Sequence, residues 1–118
     1  MKRFVVEWGT GVDIHGGDVT EAACRAVKDA LSHCCLCGIS EVVGLTDRAK
    51  MHVHVKIACP YPDKLDRGEV LKMLPVGTCR IDEVVEGGMT VQGMHVADMG
   101  PGSEIVMALA ALTVYLDV

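Results

Sequence analysis

The stretch from Phe4 to Cys34 restricts the folds open to this chain more than any other. Phe4-Val5-Val6-Glu7-Trp8 is an apolar run that reads as a strand. Gly9 to Gly17 follows and reads as a Gly-rich turn, because glycine supplies backbone conformations that other residues resist. Asp18-Val19-Thr20-Glu21 then reads as a capping box, with Asp in the N-cap place. Val19, Ala22, Ala23, Ala26, Val27, Ala30, Leu31 and Cys34 recur at helical spacing, while Arg25, Lys28, Asp29 and Ser32 fall on the other face. The helix is predicted to end near Gly38. A strand, a glycine turn and a helix in succession predict a sheet with helices packed on it.

The rest of the chain extends that pattern. Lys50 to Cys59 alternates strictly: Met51, Val53, Val55, Ile57 and Cys59 on one face, Lys50, His52, His54 and Lys56 on the other. Pro60 and Pro62 end this strand. Asp63 to Leu74 reads as a shorter helix, weakened by Gly68 and closed by Pro75. Thr78–Val85 and Met89–Val96 read as paired strands around the hairpin signal Glu86-Gly87-Gly88. Residues 104–118 admit helix or strand. Apolar residues on both faces favour a buried central strand. The predicted order is β-α-β-α-β-β-β in a single α+β domain, residues 1–118. It is a two-layer sandwich, a mixed sheet with two helices on one face, in the manner of chorismate-mutase-like small folds. A domain this small leaves one sheet face to be covered, which a homo-oligomer would do.

Composition narrows the function. Net charge is −5 and aromatic residues are 3% of the chain. A nucleic-acid binder needs a basic face or stacking platforms, so none is expected as a partner. The longest apolar run, Ile105 to Leu112, is too short to span a bilayer, and no membrane partner is expected. No secretory signal is apparent, so the six cysteines are expected to be reduced and the protein cytoplasmic.

Three groups of residues carry chemistry. Asp13 and His15, two apart in an extended segment, point the same way and suit either acid/base catalysis or a divalent metal such as zinc. Gly9, Gly11, Gly16 and Gly17 would form the floor of that site. His52, His54 and Lys56 share a strand face that suits an anionic ligand, or a metal together with Asp13 and His15. Solvation of a polar face explains the same residues without a ligand. Cys34-x-x-Cys37 sits at a helix end, where the dipole opposes a reactive thiolate, and packing accounts for it equally. The loop from Gln92 to Ser103 holds His95 and Asp98 among glycines, as an acid/base loop or an ordinary connection.

The signature G-x-G-x-D-x-H-G near the N-terminus, with Leu74-Pro75-Val76-Gly77 and Val84-Val85-Glu86-Gly87-Gly88, resembles an uncharacterised family of short conserved hypothetical proteins. That likeness covers nearly the whole chain and implies no known activity. A shorter likeness, about 20 residues, is to methylerythritol cyclodiphosphate synthase. That family has a strand ending in G-x-G-x-D-x-H, whose Asp and His bind a divalent metal, and a G-D-V helix start. The resemblance implies metal ligation by Asp13 and His15, with Gly17-Asp18-Val19 opening the helix. Only one histidine precedes that helix here, so the family's third ligand has no counterpart.

Three readings follow. One is a small-molecule enzyme with an Asp13/His15 site in the Gly-rich loop at a subunit interface, with or without a metal. Another is a regulatory or binding module that holds an anionic metabolite without catalysis. The last is a structural subunit of a larger assembly.

Overall fold

In the computed structural model, which describes residues 1–118, five strands form one mixed sheet with the helices on one face. The elements in chain order are β1 (Lys2–Asp13), α1 (Val19–Leu31), α2 (Gly38–Glu41), β2 (Met51–Cys59), α3 (Arg67–Leu71), β3 (Thr78–Glu86), β4 (Met89–Gln92) and β5 (Glu104–Leu116). The two-layer α+β architecture and the strand–helix order are as the sequence predicts, with α2 as one extra short turn. The ambiguous last segment is the central strand. β5 pairs antiparallel with β1 on one edge and with β2 and β4 on the other. Its even-numbered residues from Val106 to Leu116 are buried under the helices.

Four expectations are corrected. The first strand does not stop at Trp8: it runs through Gly9 and Gly11 to Asp13, paired with β5 throughout. The first helix ends at Leu31, where the Ser32 N–H bonds back to Lys28 and Asp29. The helix expected over Asp63–Leu74 shrinks to a 3-10 turn at Pro62–Lys64 and α3, which starts where the Asp66 side chain caps the Glu69 N–H. The hairpin expected around Gly87-Gly88 does not form. β3 instead pairs in parallel with β2. β2 stays beside β5 only as far as Ala58, opposite Leu109. β4 crosses over and takes the edge of β5 that remains, from Met107 to Glu104. Gly88 lies against the Met107 carbonyl, with no room for a Cβ at that crossing.

The core lies between α1 and the sheet. Val19, Ala22, Ala23, Ala26, Val27 and Ala30 of α1 pack on Val55, Ile57 and the inward row of β5. Small residues on both sides bring helix and sheet close. A Cβ at Gly9 would strike the Ala26 carbonyl and the Ala30 backbone, and one at Gly11 would strike Ala22 and Ala26. These two glycines therefore serve helix–strand packing and do not line a ligand pocket.

Candidate functional site

The inward row of β1 reads Glu7, Gly9, Gly11, Asp13, each buried against the helix layer. Asp13 ends the strand directly beneath the start of α1. Its Oδ2 accepts the Asp18 N–H at 2.8 Å, and its Oδ1 lies 3.4 Å from Arg25 Nη1. The Asp18 side chain caps the Thr20 and Glu21 N–H groups in turn. The helix N-terminus is thus closed by two carboxylates of the chain itself. An anionic ligand, expected there from the helix dipole, meets carboxylates instead.

His15 follows on the same side, with Ile14 turned outward and 54% exposed. Asp13 and His15 line one hollow of about 440 Å³, together with Gly16, Asp18, Glu21 and the 99–101 loop. Of the glycines expected as its floor only Gly16 lines this hollow, and its lining is polar and acidic. Gly16 and Gly17 both have positive φ and make the turn into the helix. Gly16 packs against Gly100, which seats the two loops on each other. The Nδ1 atom of His15 is buried, and no protein group is within hydrogen-bond reach. Buried ring nitrogens are ordinarily partnered, and this one, in a residue that lines the hollow, has no partner in the protein.

The second histidine group lies elsewhere. β5 separates β1 from β2, so those strands are not neighbours as expected. Asp13 stands opposite Val106 and His52 opposite Tyr115. At ~3.3 Å per residue the two sites are roughly 30 Å apart along the strand. His52, His54 and Lys56 therefore do not join Asp13 and His15 within one chain. Each already faces a carboxylate: His52 meets Asp117 at 2.9 Å, His54 meets Asp82 at 3.1 Å and Lys56 meets Glu83 at 3.1 Å. That pairing offsets the positive field an anionic metabolite would need. His95 is likewise occupied, with Nδ1 2.8 Å from the Gly102 carbonyl, and it shapes its own loop. No three His, Cys, Asp or Glu side chains converge to hold a metal ion, the Cys34–Cys37 segment included. All six cysteines are free.

One inward-facing residue escaped sequence reasoning. Glu7 is 9% exposed, under the far end of α1. The signal was available: once Gly9 and Gly11 are taken as packing residues, alternation puts Glu7 inside with them.

Comparison with known proteins defines the family and agrees with the fold. The profile of the family described as "Conserved hypothetical protein (Lin0512_fam)" matches residues 3–114, and the chain belongs to that family. A solved structure, an FtsZ-like protein of unknown function from Nostoc punctiforme, is 39% identical. The match covers 99% of this chain and 97% of that one, with a TM-score of 0.87. No curated protein matches the chain.

Proposed function

We propose that this protein binds a small polar molecule in the Asp13–His15 hollow, where His15 is the proton-transfer group and Asp13 a positioning residue. The buried, unpartnered Nδ1 of His15 carries the reading. The atom is closed to the hollow as the ring stands, so a ligand group reaches it when the imidazole turns; that bond removes the cost of a buried polar atom, about 1–3 kcal/mol, and orients the ring for acid/base work. Asp13 contributes by fixing the turn: its bonds to Asp18 and Arg25 set the backbone that carries His15. Gly16 and Gly17 hold that turn open. Asp13 and His15 together offer two ligands to a divalent cation, so a metal here would take its remaining ligands from the bound molecule or a second subunit.

We propose further that the protein is cytoplasmic and works as a homo-oligomer. Six unpaired cysteines support the compartment. The sheet face turned away from the helices supports the assembly: it carries Trp8, 69% exposed, and Val6, 39% exposed. No helix is long and apolar enough to cross a membrane.

A thermal-shift screen of small polar metabolites and a calorimetric titration with zinc test the site, on wild type and His15→Gln. Ligands or zinc are expected to bind wild type and to lose at least about tenfold in affinity in the variant, as for a lost polar partner. The melting temperature of the free protein should barely change. Equal binding by the two proteins, or none by wild type, would reject the proposal.

A further inference from the structure

A larger cavity lies at the opposite end of α1. It measures about 620 Å³ and opens between the C-terminal end of α1, residues 34–48 and the ends of β2 and β5. Of its 18 lining residues 13 are hydrophobic, among them Leu31, Ile39, Val53 and Leu112. That size and character match small-molecule pockets in general. Glu7 opposes Leu112 across the sheet, whereas Asp13 opposes Val106. The cavity is therefore a separate site, roughly 20 Å from the His15 hollow.

Glu7 gives this cavity its chemistry. Glu7 is the buried charged residue of a mostly apolar wall on which Ser40, Thr46 and Arg48 are exposed; its Oε1 accepts the Cys34 thiol at 3.4 Å, and no protein donor meets Oε2. No cation is paired with it. Buried carboxylates are ordinarily paired, because an unpaired one gives up water without compensation. A thiol is a weak donor and replaces little of that water. The other charged residue on the cavity is Arg48, which is exposed.

We propose that this cavity binds a small molecule with an apolar body and a protonated amine, the amine anchored on Glu7. The apolar wall removes the body from water, and the amine supplies the charge and N–H donors that Glu7 lacks. The outer end of the ligand, toward Arg48, is uncharged or anionic. A second cationic group there would face the guanidinium. A neutral alcohol of the same shape would fill the space without pairing Glu7. A fatty acid would turn its carboxylate to Arg48 and leave Glu7 unpaired.

Hexylamine, hexanol and hexanoate separate these cases on the full-length protein. Binding is followed by amide shifts in a nitrogen-15-labelled sample, and the same titrations are run on Glu7→Gln. Hexylamine is expected to bind at least about tenfold more tightly than hexanol, as for a charge-assisted hydrogen bond. Shifts should centre on residues 34–40 and 51–53. In Glu7→Gln the preference for amine over alcohol should vanish while hexanol binding persists. Should that variant fail to fold, Val53→Phe provides the second arm. It fills the cavity and should abolish binding of both ligands. Equal affinity for amine and alcohol, tighter binding of hexanoate, a preference that survives in Glu7→Gln, or shifts confined to residues 13–18 would each overturn the assignment.

Discussion

Asp29, a half-buried residue of α1, joins two parts of the fold. Its Oδ2 accepts the Thr10 N–H at 2.9 Å, and its Oδ1 meets His33 Nε2 at 2.9 Å. Thr10 lies on the free edge of β1, so this carboxylate satisfies a donor that would otherwise invite a strand from another molecule. Arg25 does the same for the Val12 carbonyl, at 2.7 Å. The Thr10 N–H, the largest effect, holds the Asp29 carboxyl below its ordinary range; desolvation opposes it, and His33 adds a smaller lowering. A lowered folded value means the carboxylate stabilises the fold fully above the unfolded range, near pH 4. That contribution fades as pH falls through the folded value. Urea unfolding of wild type and Asp29→Asn from about pH 5 to about pH 2 checks this. Wild type should be the more stable at the upper end, and the gap should close on acidification. A gap that stays constant with pH would show that Asp29 does not act through its charge.

Among the elements, β1 shows where sequence reading and structure part. Gly9 and Gly11 read as a turn because glycine is rare inside strands. The property they share with a turn residue is the missing side chain, and here it admits the α1 backbone. Gly11→Ala should therefore destabilise the protein by about 1–3 kcal/mol or more, as overpacking does. Chemical denaturation measures this directly, and a neutral Gly11→Ala would mean α1 can shift outward at little cost. Asp18 as N-cap, the inward face of α1 and the alternation of β2 were all legible, because each depends on local chemistry and period. The strand nature of residues 104–118 was legible from apolar residues on both faces. The pairing of β3 with β2 was not, since a parallel partner is chosen by the whole sheet. Gly87-Gly88 carries the same local signal whether the chain turns back or crosses over. The candidate site was legible in the same proportion. The nearness of Asp13 and His15 follows from spacing. The distance of His52 and His54 from them follows from β5, a strand from the far end of the chain.

The whole molecule is long and thinly cored. Its extents are 51 × 23 × 19 Å, and its radius of gyration, 15.8 Å, exceeds the ~13 Å typical of a compact chain of this length. Only 22 of 118 residues are buried, and the core is mostly alanine and valine. The helices cover one face of the sheet. The other presents Trp8, Val6 and the half-buried odd-numbered residues of β5, including Met107, Leu109 and Tyr115. A second copy packed on that face would bury apolar surface that the monomer leaves in water, at about 25 cal/mol per Å². Trp8 is the single tryptophan of the chain, so its fluorescence reports that face alone. In an oligomer its emission should lie toward the blue, and dilution should move it to the red as sedimentation shows smaller species. Trp8→Glu should shift the protein to monomer at concentrations where wild type is assembled, because a buried carboxylate there would lack a partner. A monomeric sedimentation profile at micromolar concentration, with Trp8 emission red and independent of dilution, would show instead that this face is stable in water.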